Sequence, residues 1–166
     1  MANETVKEKG KSSVSRSKGI NVKVKVLDGR AVIPEVKTEG SACFDLSVIE
    51  GYHVLTHNVA GGGVVKMRTG LAFEIPEGYH MEVYIRSSIA LKTSLRLANA
   101  VGIIDSDYRG ELCLLIENTS RSVVAVDAGA RIAQARIVKN ENVAFSVVDK
   151  LSETKRGKGG FGSTNK

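Results

Sequence analysis

Two carboxylates stand two residues apart in Asn99-Ala-Val-Gly-Ile-Ile-Asp-Ser-Asp-Tyr-Arg-Gly-Glu111, between one apolar run and the next. The pattern presents Asp105 and Asp107 at the tip of a β-hairpin or bent strand, where a carboxylate can act as general base towards a water. The same spacing suits an Asx-turn with no chemistry at all. Tyr108 beside them is either a ring that packs on a sugar or base, or an edge aromatic. Arg86-Ser87-Ser88 follows an apolar run. Its hydroxyls either cap a helix or, with Arg86 alongside, hold phosphate at the helix start. Further on, Arg156-Gly-Lys-Gly-Gly-Phe-Gly-Ser-Thr164 joins four glycines to two cations and two hydroxyls. Such a run can turn successive backbone N–H groups into one concavity for phosphate oxygens, or it can be a flexible basic terminus. Asp45, after Ser41-Ala-Cys-Phe44, and Gln134, in Arg131-Ile-Ala-Gln134, carry no message alone. His53 and His57 lie four apart without helical periodicity or a carboxylate-rich partner motif. They read as surface histidines, and no zinc site is indicated.

Short strands must position these groups. Val22–Leu27 alternates strictly, as a half-buried strand does. Further strand-like runs are Cys43–Ile49, Val64–Arg68, Leu71–Ile75, Met81–Arg86, Glu111–Glu117, Val123–Val126, Arg131–Val138 and Val143–Val148. Turn residues separate them, among them Asp28-Gly29, Gly61-Gly-Gly63, Pro76-Glu-Gly78 and Asp127-Ala-Gly129. Only Ser87–Thr93 reads as a short helix. The series predicts a single all-β domain, a sandwich, jelly roll or barrel. Residues 1–20 read as a flexible basic arm, 21–149 as the β-rich domain, and 150–166 as a flexible Gly-rich arm.

A chain of 166 residues is long enough for one substantial core. With 42% hydrophobic residues and no Trp, that core must be Val, Ile, Leu and Ala. The formal charge of +6 is unevenly placed. Residues 1–25 carry seven cations against two anions, and 150–166 carry five against one. The stretch 26–149 carries twelve cations against fifteen anions. The charge split argues against a general basic nucleic-acid surface on the body, and the N-terminal arm is assigned no more than weak nucleic-acid contact. Cys43 and Cys113 sit in apolar runs and read as small buried hydrophobes, too few to make a metal site. The first 20 residues lack an apolar signal core, and no run approaches a membrane span. A soluble, cytoplasmic protein with no membrane partner is expected.

Five segments occur in one order: Ala42-Cys-Phe-Asp-Leu46, Arg86-Ser-Ser88, Gly102-Ile-Ile-Asp-Ser-Asp-Tyr-Arg-Gly110, Arg131-Ile-Ala-Gln134 and Arg156-Gly-Lys-Gly-Gly-Phe-Gly-Ser-Thr164. Together they resemble the five motifs of the trimeric dUTPase family, the dUTP diphosphatases, over about Val22 to Thr164. The third and fifth are highly specific. The resemblance implies a jelly-roll-like β fold, a homotrimer with active sites shared between subunits, and Mg²⁺-dependent hydrolysis of dUTP to dUMP and pyrophosphate. That reaction keeps uracil out of DNA and supplies dUMP for thymidylate synthesis. Asp105 would be the general base for water attack on the α-phosphorus, and Gln134 would help hold the water or α-phosphate. Tyr108 would pack under the deoxyribose. The hairpin from Asn99 to about Cys113, through Gly102, Ile103 and Ile104, would read uracil mainly by its backbone and reject a C5 methyl. Arg86, Ser87 and Ser88 would contact phosphates. Asp45 would assist Mg²⁺ through water, the ion being held mainly by the triphosphate. Phe161 would cover the uracil ring, with Arg156, Gly160, Gly162, Ser163 and Thr164 closing over the phosphates.

Three positions depart from the family pattern: Cys43 stands for a glycine, Ile85 for a proline, and Asn165 for a glycine after the hydroxyls. None removes a group that carries chemistry. The nearest rival is the related dCTP deaminase, whose deaminating Glu falls at Leu115 in this frame. Leucine moves no proton, so hydrolysis is favoured. A regulatory protein- or DNA-binding module of the same fold is disfavoured by the intact Asp105, Tyr108 and Phe161.

Overall fold

Alternating apolar and polar residues give a chain two faces, and such a chain folds as strands. The structure, a computed structural model, describes residues 19–56 and 63–160. Among these residues run β1 (Lys23–Val26), β2 (Phe44–Ser47), β3 (Tyr52–Val54), β4 (Val64–Glu74) and β5 (Tyr79–Ile85). They are followed by α1 (Ser87–Lys92), β6 (Leu95–Leu97), β7 (Gly102–Ile104), β8 (Glu111–Asn118), β9 (Val124–Val126) and β10 (Arg131–Lys139). Two four-stranded sheets, ordered β1-β4-β8-β6 and β2-β10-β5-β7, are accompanied by the pair β3-β9. Every pairing is antiparallel.

Both large sheets feed one core. From β8, Leu112, Leu114 and Ile116 are at most 2% exposed, whereas Leu115 between them is 37% exposed. Met81 and Val83 of β5 and Ile132, Ala133 and Ala135 of β10 join the same cluster. Burying each large aliphatic side chain contributes roughly 1.5–3 kcal/mol, and here that gain comes without any Trp. Asn118 and Thr69 are polar residues of the interior, each at 0% exposure. The Asn118 amide donates to the Val54 and Ser122 carbonyls, tying the end of β8 to β3 and to the next turn.

The all-β expectation with one short helix is met. Val64–Arg68 and Leu71–Ile75, expected as separate strands, form the single β4. The reason is local: Gly70 takes φ +70°, and the register against β8 shifts between Arg68 and Ala72 without ending the strand. The alternating run Val143–Val148 does not form a strand within the chain. β10 ends at Lys139 and no edge among the described residues receives the run, so Phe145 is left 94% and Val147 103% exposed. β3 and β6 were not legible, being three residues each and too short to display a period of two.

Candidate active site

The hairpin singled out by its two carboxylates is built on β5. β7 pairs with it through Gly102 opposite Val83, Ile103 opposite Glu82 and Ile104 opposite Met81. The strands approach closely at Gly102, where a Cβ would lie a tight 3.2 Å from the Val83 Cβ. The chain enters β7 through Ala100, a non-glycine at φ +59°. It leaves through a turn closed by the Tyr108 N–H on the Asp105 carbonyl at 3.3 Å. The Arg109 guanidinium donates to the Ser106 and Tyr108 carbonyls, tightening that turn.

A cleft of about 510 Å³ opens against this hairpin. Asn99, Gly102, Ile103, Ile104, Asp105, Tyr108 and Cys113, all expected in the site, line it together. Asp107 does not; it borders a neighbouring groove with Glu77, Arg109 and Asn140, which Asp105 also lines. Of Asp105 and Asp107, only Asp105 lines the cleft. Glu111 also lines the cleft, but its carboxylate is committed to Arg68 Nε at 3.0 Å and the Gly70 N–H at 2.8 Å. Asp105 is exposed and makes no such bond among the described residues, so it is free to accept from a water. Tyr108 folds back so that its hydroxyl donates to the Glu111 carbonyl at 3.1 Å. Leu115, the position a deaminase would need as Glu, also faces the cleft.

A second group converges elsewhere, because β10 lies between β2 and β5. Gln134 sits opposite Asp45 on one side and opposite Tyr84 on the other. Arg86, just past β5, places Nε 3.0 Å from one Asp45 oxygen, and Arg131 places Nη1 3.0 Å from the other. Arg86 Nη1 also donates to the Arg131 carbonyl at 2.9 Å. Ser87 and Ser88 open α1, yet its N-cap is Arg86 and no side chain caps it. The capping alternative for the two hydroxyls is thereby removed. None of Asp45, Arg86, Ser87, Ser88 and Gln134 lines the cleft beside Asp105.

The donor set also bears on a metal. Both Asp45 oxygens face guanidinium groups, and among the described residues no three His, Cys, Asp or Glu side chains converge to hold an ion. These residues do not fit a resident, protein-held metal. They are compatible with a cation that arrives already bound to phosphate.

The Gly-rich segment begins as a turn: Gly157 takes φ +52° and donates to the Thr154 carbonyl, while Arg156 Nε donates to the Gly159 carbonyl at 2.9 Å. Arg156 is exposed and Gly160 is the last residue described; Phe161, Gly162, Ser163 and Thr164 lie outside the described residues, as does His57. Neither cysteine is the buried hydrophobe expected: both are free and half-buried, because Cys113 faces the cleft and Cys43 a groove beside Phe44. Burial and the nearby Glu111 still push the Cys113 thiol pKa up. Lys66 and Glu111 in the cleft and Arg131 on Asp45 were missed as site residues. Lys66 alternates with the buried Met67, which left a weak outward signal.

The sequence model of the dUTPase family matches residues 29–165. This chain belongs to the dUTPase family. A deoxyuridine 5'-triphosphate nucleotidohydrolase of Picosynechococcus sp. is 43% identical over 138 residues, which is 83% of this chain and 94% of that relative. The enzyme of the same name from Nautilia profundicola is 40% identical over 147 residues, 89% of this chain and 100% of that one. Among solved structures, a Staphylococcus bacteriophage 80alpha dUTPase variant with dUpNHpp matches with a TM-score of 0.76 at 25% identity. That match covers 87% of this chain and 98% of the phage chain. The dUTPase fold is thus the fold of this chain. Among the described residues, no helix is long and apolar enough to cross a membrane.

Proposed function

We propose that this dUTPase family member hydrolyses dUTP to dUMP and pyrophosphate, with Asp105 as general base. The observation that carries the reading is the single cleft in which Asp105, Tyr108 and the backbone of Ile103 and Ile104 meet. Asp105 accepts a proton from a water that attacks the α-phosphorus, and pyrophosphate leaves in line; a positioned base of this kind supplies roughly 10²–10⁴-fold. Tyr108 packs against the deoxyribose. Backbone groups of β7 read the uracil edge and leave no room for a C5 methyl. Arg86, Ser87 and Ser88 bind phosphate oxygens, and Gln134 orients the water. The substrate is taken as its magnesium complex, in which the ion offsets phosphate charge.

We further propose that the working unit is a homotrimer. The cleft group and the Asp45–Arg86–Gln134 group stay apart within one chain, so a complete site needs a neighbour. The exposed apolar run containing Val143, Phe145 and Val147 supports this, because among the described residues it has no partner and it suits a neighbouring body. It carries Arg156 and the glycines beyond it towards another subunit's cleft, where they close over the triphosphate.

Hydrolysis in water labelled with heavy oxygen tests the assigned bond. Attack at the α-phosphorus puts the label in dUMP. Label in pyrophosphate would place the attack at the β-phosphorus and contradict the role given to Asp105.

A further inference from the structure

A bulge in β4 lies across from the start of β8, where the hairpin ends. Between Arg68 and Ala72 the ladder to β8 breaks, and side chains take over its hydrogen bonds. The Thr69 hydroxyl donates to the Leu112 carbonyl at 2.6 Å, and the Gly70 N–H donates to Glu111 Oε1 at 2.8 Å. The other Glu111 oxygen receives Arg68 Nε at 3.0 Å. The bulge cannot slide: a Cβ on Gly70 would lie 2.9 Å from the Ala31 Cβ and 3.1 Å from the Asp28 Cβ. The Arg68 N–H is held in turn by the Tyr52 hydroxyl at 2.8 Å. Glu111 heads β8 opposite Ala72, where the ladder resumes after the bulge; its side chain bridges the gap and its carbonyl receives the Tyr108 hydroxyl.

We infer that Glu111, clamped by Arg68 and the Gly70 amide, is a positioning residue that sets the Tyr108 ring and so the discrimination between deoxyribose and ribose. This rests on Tyr108 packing against the sugar, as proposed above. A ring fixed at its hydroxyl end leaves no slack for a 2′-hydroxyl. Release of the clamp lets the carbonyl of residue 111 drift and the ring follow it. Uracil reading sits on β7, which is held by its own ladder to β5, and does not depend on the clamp.

The test measures kcat/KM for dUTP, UTP and dTTP with the full chain, Glu111→Gln and Arg68→Lys. Glutamine can still accept from Gly70 but turns its other lone pairs into donors against Arg68. Lysine keeps the charge without the guanidinium geometry. The dUTP-over-UTP ratio is expected to fall on the order of tenfold in Glu111→Gln and by a smaller factor in Arg68→Lys, as a small displacement of a positioning group costs. The dUTP-over-dTTP ratio should hold. Equal loss of both ratios would mean general loosening and overturn the inference, as would two unchanged ratios in variants with wild-type circular dichroism. If Glu111→Gln does not fold, Arg68→Lys alone decides by the same ratios. A wild-type chain that turns over UTP as well as dUTP would instead sink the sugar-contact reading beneath the inference.

Discussion

Tyr108 lies directly over Gly110. A Cβ at residue 110 would overlap the phenol, with Tyr108 Cε2 only 3.0 Å away, so the ring reaches its place because its neighbour has no side chain. Gly110→Ala should therefore displace the ring while leaving the sheets intact. We predict a loss on the order of 10²-fold in kcat/KM for dUTP, the scale of a misplaced contact group. Wild-type kcat/KM in a folded Gly110→Ala protein would show that the ring position is irrelevant.

Asp105→Asn removes the proton acceptor but keeps the size and most polar contacts of the side chain. Steady-state kinetics should show kcat down by roughly 10²–10⁴-fold and KM within about twofold of wild type. A large rise in KM with kcat intact would make Asp105 a binding group.

Arg86 spans two acceptors, the Asp45 carboxylate and the Arg131 carbonyl, which aims its fork from the end of β5. Arg86→Ala should raise KM for dUTP about tenfold or more, the worth of a lost charge-assisted contact. Arg86→Lys should recover only part of this, since one ammonium cannot reproduce both bonds and present a further donor. Full rescue by lysine would reduce Arg86 to a point charge.

Glu82 supplies a pH signature of the fold. The Tyr84 hydroxyl, then the Arg136 guanidinium at 2.8 Å, and more weakly His80, lower its carboxyl to about 2 from an ordinary 4.5. A depressed carboxylate stabilises the folded state above its unfolded pKa and loses that contribution as pH falls through the folded one. Thermal melting of wild type and Glu82→Gln should therefore differ most above about pH 4.5 and converge towards pH 2. Divergence that grows on acidification would reverse the assigned sign.

What the sequence disclosed follows how local each feature is. Asn99 to Cys113 is one continuous stretch, so its turn residues, its glycines and Asp105 could be read together, and Asn99, Gly102, Ile103, Ile104, Asp105, Tyr108 and Cys113 line one cleft. The ion pairs of Asp45 with Arg86 and Arg131 join residues from β2, from the end of β5 and from β10. No local pattern encodes that β10 inserts between the other two. The bulge in β4 looked like a break, because Thr69-Gly70 has turn chemistry; the Glu111 carboxylate that bridges it is 41 residues away from Gly70. Val143–Val148 has the alternation of a strand, but pairing also needs a partner edge, and none among the described residues takes it.

The most direct measurement is pyrophosphate release by the full chain with Mg²⁺ from dUTP, dTTP, dCTP and UTP in parallel. Backbone reading of uracil beside Ile103 and Ile104, with Tyr108 against the sugar, predicts rapid turnover of dUTP and at least about 10²-fold lower kcat/KM for the other three, the scale set by unmatched polar groups and steric clash. Equal turnover of dUTP and dTTP, or no turnover of dUTP at all, would contradict it.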